Sequence, residues 1–410
     1  MQHRNSPQHR PDGGLPRITT LIFAIAAGLS VSNIYFAQPL LDSMAQDFGI
    51  SPAAIGLVVT LTQAGYGLGL IFIVPLGDLV DRRRLIVGQG FLSAIALVAV
   101  ATARTEAILL ASMAAVGLLA VVVQVLVSFA ATLATPAERG KAVGTVTSGV
   151  VIGILGARFV AGVLADLGGW RAVYLTSAAL TLAMVGLLLR VLPRNLPPDS
   201  ADSYAATLRS IPILFLTDRI LLVRGILALL IFASFSTFWT ALVLPLSAKP
   251  FDYSHTQIGL FGLLGMVGAI AATCAGRLAD RGFGQWTTGV SLALLLASWG
   301  LIALLPWFVP ALFVGVVLLD LGVQAIHVTN QSIIFDRHPQ ARSRLVGGYM
   351  AFYSLGSAIG AIAATMAYAH AGWIGVSVLG AAFSAAALLT WAFTHRLLIS
   401  KEATKCAAVG

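Results

Sequence analysis

The sequence predicts an all-α membrane protein of twelve transmembrane helices, built as two parallel-repeat six-helix bundles with both termini cytoplasmic. Three observations predict it: the composition, the placement of the cations and an internal repeat. Hydrophobic residues make up 58% of the chain and charged residues 10%. A water-soluble surface on 410 residues cannot be covered from that stock. A hydrocarbon core about 30 Å thick needs roughly 20 apolar residues per helical crossing, and about a dozen such stretches follow one another between short charged or Pro/Gly-rich breaks. The alternation of a membrane β-barrel is not seen, so the crossings satisfy their backbone groups as helices.

In chain order, residues 1–17 are polar, lack the apolar core of a signal peptide and read as a disordered cytoplasmic tail. An N-terminal bundle is expected over 18–192, a cytoplasmic linker with Pro197, Pro198, Asp199 and Asp202 over 193–220, a C-terminal bundle over 221–397 and a second tail over 398–410. With this threading all but four of the 25 Lys and Arg residues fall on the inside, among them Arg82, Arg83, Arg84, Arg139, Lys141, Arg219, Arg224, Arg342 and Arg344. Arg104, Arg171 and Lys249 fall outside and Arg158 within a span. That asymmetry is the positive-inside signature, so the net charge of +9 orients the chain in a bacterial inner membrane and does not point to nucleic acid. Cys274 lies in a span and Cys406 in the tail, so no disulfide between them is expected.

The repeat is specific. Gly77-Asp78-Leu79-Val80-Asp81-Arg82 recurs as Gly276-Arg277-Leu278-Ala279-Asp280-Arg281, each after the second helix of its half. Gly144 to Trp170 aligns without a gap on Gly347 to Trp373, matching Gly153 with Gly356 and Gly169-Trp170 with Gly372-Trp373. An even number of helices per half makes such a repeat parallel. At these residues the chain resembles the major facilitator superfamily over nearly its full length, and more narrowly its drug:proton antiporter branch. Asn33-x-Tyr35-x-x-Gln38-Pro39 and Arg158-x-x-x-Gly162 further resemble bacterial efflux permeases. Three departures accompany the likeness. Arg84 and Leu85 replace part of the loop motif, Gly156-Ala157-Arg158 stands where the antiporters carry Gly-Pro, and Met113 stands where the fourth helix usually carries an Arg linked to proton coupling.

The resemblance implies a secondary active transporter working by alternating access, with proton-coupled efflux of an amphipathic drug-like compound or metabolite as the first reading. A facilitator or proton symporter importing a small metabolite is the alternative. It also implies a conformational latch in the two loops: Gly77, Asp81 and Arg82, echoed by Gly276, Asp280 and Arg281, with Asp81 facing the positive N-terminal end of the eleventh helix. The plainer reading is that the aspartates cap their own helices and the arginines set topology.

Ionisable groups at bilayer depth cost several kcal/mol and mark function by default. The tenth helix, from about Pro310 to about Ile334, carries Asp320, Gln324, His327 and Gln331 at i, i+4, i+7 and i+11, one helical face. The fourth echoes it with Gln124 and Ser128, and Arg158 lies near the middle of the fifth. Two readings stand: Asp320 binds a proton beside Arg158 with His327 as relay, or Arg158 and Asp320 form a permanent ion pair that locks two helices. Asn33, Tyr35 and Gln38 on the first helix, and Ser236, Trp239 and Thr240 among the phenylalanines of the seventh, are candidates for a mixed substrate cavity. Tyr66, Tyr349 and Tyr353 rank behind them. Gly149, Gly153, Gly156, Gly162, Gly356 and Gly360 are expected to let helices approach closely.

No phosphate-binding loop, zinc-spaced Cys/His cluster or grouped Ser/His/Asp set is present, so neither ATP hydrolysis nor an enzyme is expected, and no cofactor or metal. The expected partners are a small-molecule substrate, protons and the lipid bilayer, with a monomer as the default.

Overall fold

The computed structural model describes residues 16–135, 138–193, 204–271, 278, 281, 283–337 and 342–407. They form helices and no strand. In order these are α1 (Arg17–Tyr35), a 3-10 turn (Gln38–Leu40), α2 (Leu41–Phe48), α3 (Leu57–Phe72), a second 3-10 turn (Val74–Asp78), α4 (Arg82–Ala101), α5 (Glu106–Leu119) and α6 (Val122–Leu133). There follow α7 (Arg139–Val191), α8 (Tyr204–Thr217), α9 (Arg219–Ala241), α10 (Val243–Leu246), α11 (His255–Ala271), α12 (Gly284–Ile302), α13 (Val309–Arg337) and α14 (Arg342–Ala407).

Among the described residues eight segments are long and apolar enough to cross a membrane. Two of them, the parts of α7 and α14, are about twice the needed length because each holds two helices joined at a sharp break. The break falls at Gly169 (φ 76°) and at Gly372 (φ 58°), where the left-handed backbone favours a residue without a Cβ. The two glycines are aligned in the repeat, so both halves turn the same corner by the same means. Starts are set by side-chain caps: Asp81 accepts from the Arg84 N–H, Thr105 from Ile108 and Asp218 from Ile220. Outward-pointing Leu167, Trp307 and Phe393 are largely exposed, which suits hydrocarbon and would be costly in water.

The repeat also governs packing. Gly149 and Gly153 of α7 lie against the carbonyl oxygens of Ala24 and Gly28 on α1, and Gly356 and Gly360 of α14 lie against those of Leu229 and Ala233 on α9. Small residues let backbones touch where the membrane supplies no hydrophobic drive. The first and second halves of the chain meet along two seams, α7 against α11 and α3 against α14. We call the end bearing Arg82 to Arg84 and Arg139 the basic end, and the opposite one the far end.

Contact across the seams is tight from the middle to the far end. A Cβ on Gly162 would fall 2.2 Å from the His255 carbonyl oxygen, and one on Gly259 would fall 2.5 Å from that of Arg158, so this approach requires glycine on both helices. Thr60 donates to the Ala358 carbonyl (2.9 Å) and Thr365 to that of Ala53 (2.9 Å). Toward the basic end, Gly144 has no described atom within 4 Å of its Cβ position, while Gly347 faces only the Leu70 carbonyl at 3.7 Å.

Candidate functional site

Arg158 occupies the middle of the molecule. The α1–α7 contact brings it beside the turn after α1, where its Nε donates to Gln38 Oε1 at 2.8 Å, and Nη1 donates to its own helix at the Ile154 carbonyl (3.1 Å). Its Cζ lies 4.0 Å from the ring centre of Trp239, 5.1 Å from that of Tyr35 and 5.6 Å from that of Phe235. The guanidinium is only 2% exposed and sits in an aromatic cage contributed by both halves, the setting in which cation–π attraction is strongest. Nη2 has no hydrogen-bond partner among the described residues.

Asp320 of α13 is fully buried, and neither carboxylate oxygen has a hydrogen-bond partner among the described residues. Gly265 of α11 makes room for it, since a Cβ there would fall 2.7 Å from Oδ2. Arg158 and Asp320 feel each other's charge, yet no ion pair of 4 Å or less joins them among the described residues. This corrects the direct-pair reading: Gln38 and the three rings hold the guanidinium, and the carboxylate has only the Trp239 indole beside it, short of hydrogen-bond geometry. The Trp239 indole N–H and the Ser236 and Thr240 hydroxyls on α9 also lack partners of hydrogen-bond geometry among the described residues. Buried polar groups are nearly always satisfied in folded proteins, so such a concentration calls for a ligand, water or a proton.

Toward the basic end a polar network crosses the second half. His327 Nδ1 lies 3.1 Å from the Tyr349 hydroxyl, which also accepts from Asn330 Nδ2 at 3.4 Å. Arg224 Nη1 donates to Asn330 Oδ1 (2.9 Å) and to Thr288 Oγ1 (3.1 Å). Arg224 is 0% exposed, buried within the bundle and not set in a loop. The tally of cations could not reveal it, since Arg224 begins a long apolar run only one turn beyond Arg219. Gln324 and Gln331 on α13, and Gln124 and Ser128 on α6, are half-buried, and Gln124 Nε2 donates to the Tyr66 hydroxyl at 3.3 Å.

Tyr35 and Tyr353 share a hydrogen bond between hydroxyls and so tie α1 to α14 across the halves. Phe232 packs on Tyr353 with ring centres 3.9 Å apart and meets His327 edge-on at 5.2 Å. Tyr353, ranked low from the sequence, thus joins the central aromatic layer, and Tyr349 the polar network toward the basic end. Asn33, expected in the cavity, is 1% exposed and accepts from the Ser177 hydroxyl at 2.6 Å, joining α1 to the second part of α7.

In the loop after α3, Asp81 caps α4, accepting from the Arg84 N–H at 3.1 Å. Arg82 donates to the Gly77 carbonyl (2.8 Å) and to Thr132 on α6 (2.7 Å). Of the echo, Gly276 and Asp280 lie outside the described residues and Arg281 is exposed. Among the described residues no group of three or more His, Cys, Asp or Glu side chains is arranged to hold a metal ion.

The family model of the Major Facilitator Superfamily matches residues 21–308 and again 225–405. The chain belongs to the major facilitator superfamily. A transporter of Escherichia coli O157:H7, YgaY, is 44% identical over 386 residues, covering 93% of this chain and 97% of that one. The "Probable transporter SCO4007" of Streptomyces coelicolor is 30% identical over 375 residues, covering 91% and 86%. Among solved structures, a bacterial homologue of the human lysosomal transporter Spinster, inward-facing and occupied, superposes with a TM-score of 0.76 at 15% identity over 92% of this chain and 96% of that one. As a superfamily member the protein is a membrane-embedded, multi-pass transporter of major facilitator fold.

Proposed function

We propose that the protein is a proton-coupled antiporter of the drug-efflux type, exporting an amphipathic drug-like compound or metabolite across a bacterial inner membrane. In this reading twelve crossings run with both termini in the cytoplasm, dividing at the boundaries expected from the sequence (18–192 and 221–397), and the basic end is the cytoplasmic one. The protein acts as a monomer. Substrate enters from the basic end between α6 and α13, reaches the aromatic layer of Tyr35, Phe232, Trp239 and Tyr353, and competes with a proton for the region of Asp320.

The observation that carries the reading is the sealed carboxylate of Asp320, without an ion pair or a hydrogen bond of good geometry, beside a guanidinium already engaged elsewhere. A carboxylate without a partner at bilayer depth is costly when charged and cheap when protonated. An occluded protonated state and a substrate-bound state therefore exchange at low cost, and His327 provides a relay toward the basic end. Gln38, Gln124, Ser128, Ser236, Thr240, Gln324 and Gln331 supply the polar contacts around the rings.

The alternative of a facilitator or symporter draws on Met113, fully buried where the branch's helix-four arginine would stand. Proton flux in proteoliposomes under an imposed pH gradient separates the two, with a panel of amphipathic compounds and small metabolites as substrates. Proton movement opposite to the solute and lost in Asp320→Asn supports antiport; proton movement with the solute moves the function to symport, and solute uptake without proton movement to facilitated diffusion.

A further inference from the structure

At the far end the seam between the halves closes on a single side chain. His255, the first residue of α11, stands outside the eight apolar crossing segments and is half-buried. On one side its Nε2 lies 2.8 Å from the Ser43 hydroxyl and 3.3 Å from Asp42 Oδ1, both on α2. On the other its Nδ1 lies 3.1 Å from Asp166 Oδ1 on α7. Asp166 also takes the backbone N–H groups of His255 (3.1 Å) and Thr256 (2.9 Å), so it caps α11 from the opposite half. Both carboxylates and the Ser43 hydroxyl come from the first half; the imidazole, with the Ser254 and Thr256 hydroxyls beside Asp166, comes from the second.

Both ring nitrogens face acceptors. A neutral ring can donate from Nδ1 to Asp166 while Nε2 accepts from the Ser43 hydroxyl, but only the imidazolium sets a positive charge between the two carboxylates. The other charged groups nearby are accounted for. On α7 Arg158 is turned to Gln38, and Asp47 of α2 is paired with Arg171 and with the Trp170 N–H. On the segment that holds His255, Asp252 is exposed, and Lys249 is the cation of the preceding loop. The Asp42 carboxylate, 3.3 Å from Nε2, holds His255 protonated above the ordinary imidazole value of 6.5, opposed by burial of the ring and reinforced by Asp166. The proton is thus held more firmly with the clasp closed than with the halves apart.

We propose that His255 is a proton-binding site that governs the far-end gate: the halves close there when a proton bridges Asp42 and Asp166 through His255, and part when it leaves. The site is separate from Asp320 and lies at the mouth, where it samples the pH of the far side. It rests on the alternating-access reading, because only then do the halves part. The sign is fixed by linkage. Closure is fully supported below the value of the free imidazole and loses that support as pH rises through the higher value of the closed state. Within that window the open-to-closed ratio rises up to tenfold per pH unit for one proton. Coupled to Asp320, an acidic far side favours closure there and so turns the carrier toward the basic end.

The test places spin labels at Gln46→Cys on α2 and Gln257→Cys on α11, both exposed and on opposite sides of the seam, with Cys274 and Cys406 replaced by Ser. Distance distributions of the full chain in lipid nanodiscs are recorded from pH 5 to 9 without any substrate. The expected result is one short distance in acid and a growing longer one as pH rises. His255→Gln is expected to remove the pH dependence, and Asp166→Asn to move its midpoint to lower pH by weakening the proton's hold. The Asp166→Asn shift decides the matter if the glutamine variant does not fold. A distance that ignores pH in the parent, or a pH response that survives unchanged in the variants, overturns the proposal. Neither readout requires a transported solute, so failure of the antiport reading, seen as solute movement without protons, is told apart from failure of the gate.

Discussion

Asn33 and Gln38 stand in one motif, yet the structure gives them different tasks. Asn33 is committed to Ser177 at 2.6 Å in a dry helix contact, and Gln38 orients the guanidinium of Arg158. Replacing Asn33 by Leu leaves the Ser177 hydroxyl unmatched and is expected to cost about 1–3 kcal/mol, read as a lower midpoint of thermal unfolding in detergent, with substrate preference unchanged. A changed preference at unchanged stability would return Asn33 to the cavity. Arg158→Lys keeps the charge but loses the planar group that donates to Gln38 while lying on Trp239. Transport is expected to fall at least tenfold, about 1.4 kcal/mol of lost stabilisation, while the protein still folds. Parental rates in Arg158→Lys would show that charge alone suffices.

The residue pattern told where polar groups lie in the membrane but not where they point. Asp320, Gln324, His327 and Gln331 were legible as one face of one helix because their spacing is helical. That Arg158 would be claimed by Gln38 and three rings was not legible, since those partners come from α1, the turn after it and α9 and meet it only through tertiary packing. Arg224 was concealed by its position: near a helix end a basic residue usually reaches water, and only the assembled bundle seals it against Asn330 and Thr288.

At the scale of the element, Asp81 joins a local duty to a proposed distant one. It is the N-cap of α4, and Asn serves as well as Asp at such a position. Asp81→Asn therefore preserves the cap while removing the charge that would face the dipole of α14. If the latch operates, transport slows at unchanged thermal stability; transport at the parental rate would leave Asp81 a cap and nothing more. The loop motif was visible in the sequence because it occurs twice, but its local hydrogen bonding was not, since the same Gly and Asp suit either role.

Across the whole molecule, the duplicated architecture was the most legible feature, because gapless alignment of Gly144–Trp170 with Gly347–Trp373 fixes both the corners and the close-packed faces. The conformational state was not legible, since one sequence serves every state of the cycle. Here the far end is closed, and the paired glycines Gly144 and Gly347 lie toward the basic end. Gly347 already faces Leu70 of α3 across the seam, and the repeat predicts that Gly144 meets α11 in the same way when the basic end closes. When the basic end closes, both glycines must admit the opposing helix as Gly162 and Gly259 do at the far end. A bulky side chain at Gly144 meets no described atom in the present state, so Gly144→Leu is expected to leave the unfolding midpoint within a few degrees of the parent. It should nonetheless cut turnover by more than tenfold, because the carrier is held with its far end shut. Substrate binding from the basic side should persist, measured by titration in nanodiscs. Normal turnover in Gly144→Leu would mean that the basic end closes along a different seam, breaking the symmetry between the two gates.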